Sequence, residues 1–151
     1  MRVADILKTK GARVATVRMH ETVEVAARIL HQEDVGALVI KDVCGTEGDV
    51  VLGIVSERDI LHALADQGPG VLKKPVSVFA SRRLVCCSPE DSLLHVRDLL
   101  ERHQVFHLPV LDGHTLVGVL GLRDLALLRA FRAQAPALHE GSAYRQPPSV
   151  Q

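Results

Sequence analysis

Gly53-Ile54-Val55-Ser56-Glu57-Arg58-Asp59 ends an apolar run with a serine, and an aspartate follows three residues later. The same order returns 65 positions further on as Gly118-Val119-Leu120-Gly121-Leu122-Arg123-Asp124, again after an apolar run and before a leucine-rich amphipathic segment. An apolar run followed by Ser-x-x-Asp is typical of a buried strand that leads into a capped helix. The stretch therefore predicts an internal repeat, which is the first fact about this chain.

The same order of elements is predicted around each motif, namely strand, helix, strand, strand and helix. In the first copy the predicted elements cover about 14–17, 22–30, 36–40, 50–55 and 56–65, and in the second 84–86, 91–103, 107–111, 116–120 and 122–131. Neither copy is large enough for an independent core. The predicted fold is therefore mixed α/β (α+β), with two β-α-β-β-α repeats packed through their sheets with pseudo-two-fold symmetry.

The predicted boundaries follow chain order. Residues 1–70 form the first repeat with a short lead-in helix that Gly11 ends, and residues 71–132 form a linker and the second repeat. The hairpin of the first copy is longer by about five residues, with turn-forming residues at 44–49. Residues 133–151 carry prolines without periodicity and are expected to form a flexible tail.

Composition excludes several classes of function. Lys+Arg and Asp+Glu balance at 18 each and only 3% of residues are aromatic, so nucleic acid is not an expected partner. No apolar run approaches the roughly 18 residues of a membrane span, and no signal pattern opens the chain. Cys44, Cys86 and Cys87 lack C-x-x-C spacing, and Cys86 is expected to be a small buried side chain. A reducing cytoplasm and no membrane association are expected.

The Ser56-x-x-Asp59 motif has two interpretations. One is a capping box, in which the hydroxyl accepts from the backbone near Asp59 and the carboxylate reaches back. The other is a ligand site, because a strand-to-helix turn exposes N–H groups and a positive dipole end that favour a phosphate. A carboxylate one turn further on can accept from two ribose hydroxyls. The pairing predicts a nucleoside phosphate as ligand.

The duplicated unit, with its two motifs and with His107-Leu108-Pro109-Val110 in the second copy, resembles a pair of cystathionine-β-synthase (CBS) domains, the Bateman module. The resemblance covers about residues 3–132. It implies a regulatory module that binds an adenine-containing ligand in clefts between the repeats and signals through a conformational or dimer change. AMP is the expected ligand, with ADP, ATP, NAD and S-adenosylmethionine as alternatives, and no cofactor is required.

The resemblance also nominates residues. Asp59 matches the family's ribose-binding aspartate and Ser56 its phosphate-facing hydroxyl, both assigned to the first cleft. Three backbone positions match the segment that frames the adenine, and a threonine lies on the preceding strand. These four are Val35, Gly36, Ala37 and Thr16.

Phosphate is expected to meet basic groups, for which the resemblance nominates Arg58, Arg123 and His107, although His107 also suits a packing role. The second cleft keeps Asp124 but departs from the family pattern at two positions. Gly121 replaces the usual Ser/Thr, and Phe106 replaces a residue that is often polar or basic. The second site is therefore expected to be weaker, altered in ligand or empty.

Other functions have weaker support in the sequence. No paired acid and base and no Walker-type loop are present, so no catalytic residue is nominated and an enzyme is not expected. His103 and His107 lack a third ligand at metal-binding spacing. The alternative to a nucleotide sensor is a ligand-independent dimerisation or scaffold module of the same fold. A homodimer and a separate effector protein are expected in either case, since apolar residues are abundant in the second helix of each repeat, namely Ile60, Leu61, Leu64, Leu125, Leu127 and Leu128.

Overall fold

The helices and strands follow the predicted order, except for the first strand predicted in the second repeat. A computed structural model describes residues 1–11, 14–43, 49–80 and 84–126. The first half contains α1 (Val3–Lys10), β1 (Thr16–Arg18), α2 (Val23–Glu33), β2 (Ala37–Val43), β3 (Asp49–Ser56) and α3 (Glu57–Gln67), followed by short 3-10 helices at Pro69–Lys73 and Val76–Phe79. The second half contains α4 (Leu93–His103), β4 (His107–Asp112) and β5 (Thr115–Gly121), and a helix α5 begins at Leu122 and is described to Ala126.

Each repeat is built on a small sheet. The first sheet has the order β1-β2-β3, in which β1 runs parallel to β2 and β2 antiparallel to β3, and the second pairs β4 with β5 antiparallel. At matching positions Ala37 lies opposite Ser56 and His107 lies opposite Gly121. Both hairpins therefore bring the first residue of one strand against the last residue of the next, at the point where the following helix begins.

The strand predicted over residues 84–86 is wrong in extent and phase. Only Cys87 forms a bridge, parallel to Val110, with its N–H donating to the Pro109 carbonyl at 3.1 Å and its carbonyl accepting from Leu111 at 2.8 Å. The one-residue shift reverses which cysteine faces inward, because successive side chains on an extended chain alternate. Cys87 is buried in the core, whereas Cys86 is half-buried.

Each repeat has its own apolar core, so the expectation that neither copy is large enough for one is wrong, and each core takes in a segment that precedes the other repeat in sequence. Val3 and Ile6 of α1 are buried in the second core, and the N–H of Val3 donates to the Asp91 carbonyl at 2.9 Å. In the same way Val76 of the linker is buried in the first core. Each such side chain is worth roughly 1.5–3 kcal/mol relative to exposure. The lead-in helix thus precedes the first repeat in the chain but packs in the second.

The first helix of each repeat begins and ends in the same way. The side chains of Thr22 and Ser92 cap α2 and α4 by accepting from backbone N–H groups. Asp34 and Gln104 end these helices in the left-handed conformation, with φ of 54° and 53°. Because both segments lead directly into a strand, the two repeats present equivalent helix-to-strand turns to the clefts described below.

Some predictions fall outside the described residues, namely the longer hairpin connection at 44–48, the end of the last helix and the tail at 133–151. Within the described ranges, no helix has the length and apolar character needed to cross a bilayer.

Candidate functional site

The capping interpretation of the first motif is confirmed. The Ser56 hydroxyl accepts from the Asp59 N–H at 3.1 Å, and the Asp59 carboxylate accepts from the Ser56 N–H at 2.8 Å. The box uses one carboxylate oxygen, Oδ2, and the Asp59 side chain remains exposed at the wall of a cleft. Capping and ligand binding therefore do not exclude each other at this residue.

The expectation that the turn leaves its N–H groups unpaired is wrong for the first helical residue of each motif. The Glu57 N–H donates to the Gly36 carbonyl, and the Leu122 N–H donates to the Phe106 carbonyl, each at 3.1 Å. These bonds tie each motif to the helix-to-strand turn of its own repeat. At this turn, side chains would therefore have to supply more of the hydrogen-bond donors for a phosphate than at a helix start whose N–H groups are all free.

Two clefts lie between the repeats. The larger has a volume of about 490 Å³, and the smaller about 390 Å³, both within the range of small-molecule sites. The larger cleft is lined mainly by Lys10, Val14, Ala15, residues 34–37, Phe106, His107 and residues 121–124. The smaller cleft is lined mainly by Ile54, Ser56, Arg58, Asp59, His62, Phe79, Leu84, Val85 and residues 104–107.

Each motif carboxylate faces the apolar segment of the other repeat. Asp124 lies in the larger cleft with Val35, whereas Asp59 lies in the smaller cleft with Val85 and Val105. Each cleft therefore combines an apolar slot from one repeat with a carboxylate from the other. An apolar slot suits a flat heterocyclic base, and the carboxylate suits a hydroxylated sugar.

His107 explains why glycine stands at position 121. A Cβ at Gly121 would lie 2.9 Å from His107 Cδ2 and 3.2 Å from Nε2, closer than packed atoms tolerate. In the first repeat the equivalent cross-strand pair is Ala37 and Ser56, in which the small residue is on the other strand. The histidine ring therefore occupies the space that a serine side chain would take in this repeat.

Charged residues of both clefts also act on the pKa of His107. Burial lowers the pKa of its imidazole below 6.5, while Asp124 and Asp59 act in the opposite direction, as does Glu57, and Lys10 lowers it further. The ring is therefore mainly neutral near pH 7. An anion placed beside it would favour the protonated form, so the ring can supply charge when a phosphate arrives.

Lys10 connects the lead-in helix to the larger cleft. Its ammonium group lies 3.0 Å from Asp124 Oδ2 and donates to the Val119 carbonyl at 2.8 Å. The same carboxylate oxygen accepts from the Gly121 N–H at 2.8 Å. Asp124 is thus already engaged by a cation, whereas Asp59 is exposed to the smaller cleft.

The two arginines nominated from the sequence, Arg58 and Arg123, both line the clefts. Arg58 lines both clefts, and its guanidinium carbon is 4.9 Å from the centre of the Phe106 ring, a cation–π distance. Arg123 is exposed and lines the larger cleft. Among the described residues, no group of three or more His, Cys, Asp or Glu side chains is arranged to hold a metal ion.

Comparison with known proteins agrees with this architecture. The CBS domain model matches residues 3–66 and again residues 76–130. The chain is 34% identical over 125 residues to the CBS domain-containing protein YhcV of Bacillus subtilis. The aligned region covers 83% of this chain and 85% of that relative. The chain belongs to the CBS-domain family.

Solved structures confirm the predicted fold of this CBS pair. A CBS-domain containing protein from Agrobacterium tumefaciens matches with a TM-score of 0.77 at 32% identity, over 85% of this chain and 99% of that one. The CBS domain pair of protein MJ0100, in complex with 5′-methylthioadenosine and S-adenosyl-L-methionine, matches with a TM-score of 0.71 at 25% identity, over 85% and 99%. The mixed α/β repeat predicted from the sequence is therefore correct.

The structure divides the sequence-predicted residues of this CBS pair between the clefts. Asp59 lines the smaller cleft, whereas residues 35–37 line the larger cleft together with Asp124. Ser56, Arg58 and His107 line both clefts. Thr16 lines neither cleft, since it pairs with Val39 within the sheet, and the chain just before it supplies Val14 and Ala15 instead.

Sequence reasoning missed Lys10 and His62. His62 follows Asp59 by three residues on α3, a spacing that places both side chains on one face of the helix. That signal was present in the sequence. Lys10 gave no such signal, because it meets Asp124 only through the packing of α1 on the second repeat.

Proposed function

We propose that this CBS pair is a non-catalytic regulatory module that binds an adenine nucleotide, with AMP as the first candidate, in the clefts between its repeats. The observation that supports this most is the crossed arrangement, in which an exposed motif carboxylate of one repeat faces an apolar slot of the other. The adenosyl ligands bound by protein MJ0100 support the same ligand class.

In the smaller cleft, Leu84, Val85 and Val105 would hold the base, and Asp59 would accept from the ribose hydroxyls. Arg58 and His107 would neutralise the phosphate, with the Ser56 hydroxyl donating to it. In the larger cleft, Val14, Ala15 and Val35 would hold the base and Asp124 the ribose, with Arg123 as an additional cation. Thr16 is not retained in the proposed site.

The module would signal through a change in the arrangement of its two repeats. A ligand that touches both repeats stabilises the arrangement in which the cleft walls are close, and a separate effector protein in the cytoplasm would detect that arrangement. Since the ligand acts through differential affinity for two arrangements of the repeats, no bond is made or broken.

Thermal shift tests the proposal. A ligand at 100 times its dissociation constant adds about 2.7 kcal/mol to the stability of the fold, which is roughly 5–10 °C in melting temperature for a domain of this size. AMP, ADP, ATP, NAD and S-adenosylmethionine are compared on wild type, Asp59→Ala and Asp124→Ala. We expect AMP to raise the wild-type melting temperature and each substitution to reduce that rise.

Ser92→Ala is the matched control. It removes a capping contact at the start of α4, just as Asp59→Ala removes one at the start of α3. Ser92 lines neither cleft. It should lower the melting temperature by a similar amount, since a lost cap costs about 1 kcal/mol, and leave the ligand-induced rise intact. If none of the five ligands raises the wild-type melting temperature, the sensor proposal fails and the scaffold alternative takes its place.

The scaffold alternative has support in two exposed leucines, Leu61 on α3 and Leu122 at the start of α5, which are 65% and 46% exposed. Ile60 and Leu125, also nominated for a dimer surface, are buried in the cores and are not available. A homodimer through this helical face remains part of the proposal. Sedimentation of wild type and Leu61→Glu tests it, and an unchanged sedimentation coefficient would exclude Leu61 from the interface.

A further inference from the structure

The two clefts share part of their walls. Ser56, Arg58, Phe106 and His107 line both the larger and the smaller cleft, and we call these four residues the shared wall. The wall includes a guanidinium, an imidazole and a hydroxyl, the groups suited to a phosphate. Two ligands bound at the same time would therefore meet the same polar side chains from opposite sides.

Among the residues that line the clefts in the described part of the chain, neither cleft has an equally placed cation of its own to replace the shared ones. Lys10 lies in the larger cleft but is held by Asp124 at 3.0 Å and by the Val119 carbonyl at 2.8 Å. Arg58 is held on the wall by its contact with Phe106 at 4.9 Å. Arg123 adds a cation to the larger cleft only, and His62 adds a second imidazole to the smaller cleft only.

We propose that the shared wall couples the two clefts negatively for charged ligands. One AMP binds well, and a second AMP binds about 10-fold or more weaker, whereas uncharged adenosine fills both clefts independently. This inference rests on the proposed function and adds to it a rule of occupancy. The physical cause is repulsion between two phosphates separated by one layer of side chains, together with competition for Arg58 and for the His107 proton. A 10-fold effect lies within the range typical of coupled sites.

The coupling gives the module a defined response. At low nucleotide concentration only the cleft with the higher affinity is filled, and the second is filled only over a separate, higher range of concentration. Because linkage is reciprocal, AMP bound in either cleft should weaken AMP binding in the other by the same factor.

The experiment is titration calorimetry with AMP and with adenosine on wild type, Asp59→Ala and Asp124→Ala. Each variant removes the ribose-binding carboxylate of one cleft and so reports the other cleft alone. We expect one AMP per chain in each variant. In wild type we expect the second AMP to bind at least about 10-fold more weakly than AMP binds to the weaker of the two clefts when that cleft is measured alone in its variant. Adenosine should bind twice in wild type with the two isolated affinities.

Salt provides an independent readout. Dissolved salt screens charge repulsion across the wall. As NaCl rises from 0.05 to 0.5 M, the affinity of wild type for the second AMP should therefore approach the affinity of the isolated cleft. The Asp59→Asn and Asp124→Asn variants, which keep a side-chain acceptor for the helix start, replace the alanine variants if circular dichroism shows that those are unfolded.

The outcomes are distinct. Two AMP molecules bound with the isolated affinities, or with positive cooperativity, would overturn the coupling and leave the proposed function standing. Loss of all AMP binding in only one of the two variants would mean that a single cleft works, which also overturns the coupling. If neither AMP nor adenosine binds to wild type, the coupling is wrong, and the proposed function falls with it only if ADP, ATP, NAD and S-adenosylmethionine also leave the wild-type melting temperature unchanged.

Discussion

His107 and Gly121 lie directly opposite each other on β4 and β5, and the imidazole fills the space in which a side chain at position 121 would begin. The equivalent pair in the first repeat, Ala37 and Ser56, has the small residue on the opposite strand. The second repeat therefore has the larger side chain of the pair on the first strand of its hairpin, whereas the first repeat has it on the second strand. The departure of the second motif from Ser/Thr is thus a packing consequence of His107.

This relationship predicts the effect of restoring the serine. Gly121→Ser should destabilise the protein by roughly 1–3 kcal/mol, because its Cβ would lie 2.9 Å from the ring of His107. In a His107→Ala background, which recreates the first-repeat pair, the same substitution should cost much less. Urea denaturation of the four proteins of this double-mutant cycle measures the difference, expected at 0.5–3 kcal/mol.

Gly70→Ser is the control for the glycine substitution, since a Cβ at that position meets no heavy atom within 4 Å. It should change stability by no more than about 0.5 kcal/mol. Equal costs of Gly121→Ser with and without His107 would contradict the steric explanation.

The contact between Lys10 and Asp124 predicts an effect on ligand affinity. Lys10→Met should raise the affinity of the larger cleft for adenosine. The ribose hydroxyls would no longer have to displace the ammonium group of Lys10 from the Asp124 carboxylate. The Asp59→Ala background isolates that cleft for calorimetry. The stability cost should stay below about 1 kcal/mol, since both side chains are partly exposed at 32% and 17%.

Lys8→Met is the matched control for Lys10. Lys8 lies on the same helix and is exposed, and it lines neither cleft. A lower adenosine affinity in Lys10→Met, with Lys8→Met unchanged, would show that the lysine contributes to ligand binding instead of competing with it.

His107 predicts a pH dependence of stability. Burial lowers the pKa of the folded imidazole below the unfolded value of 6.5, so the unfolded chain binds more protons in the window just below 6.5. The contribution of neutral His107 is therefore present above that pH and is lost as the pH falls toward the folded pKa. Urea midpoints of wild type at pH 7.5 and 5.5 should differ more than those of His107→Gln.

His114→Gln serves as the control for this measurement, because His114 is exposed in the turn between β4 and β5. It should retain the wild-type pH dependence. A His107→Gln protein with the full wild-type difference would assign the effect to other groups.

Cys87 predicts a slow thiol reaction. Burial, followed by the charges of Asp91 and Cys86, raises the pKa of its thiol to about 12, so almost no thiolate exists at pH 8. A Cys44→Ser/Cys86→Ser protein should react with a thiol reagent mainly through opening of the fold, at a rate that rises steeply with urea. The Cys44→Ser/Cys87→Ser protein, which keeps the half-buried Cys86, should react faster in native buffer. Equal native rates would contradict the burial of Cys87.

Much of the fold could be predicted from the sequence because its signals are local. Apolar periodicity of 3.6 in α2 and α4, continuous apolar runs in the hairpins and serine or threonine caps all act within a few residues. The capping box at Ser56 and Asp59 is of the same kind and is present as predicted. Where the local signal was short, as at residues 84–87, the phase was missed by one residue, and Cys87 instead of Cys86 entered the core.

The sequence by itself determined that this protein is a duplicated CBS pair with a Ser-x-x-Asp or Gly-x-x-Asp motif at the start of α3 and α5, since repeats and caps are properties of the chain order. Only the tertiary structure decided that Asp59 and Asp124 each face the apolar slot of the other repeat, that Lys10 reaches Asp124, and that His107 and not a serine occupies the space beside residue 121. The physical reason is that these contacts join segments up to 114 positions apart. Which side chains meet there depends on how two cores pack, which no local pattern specifies.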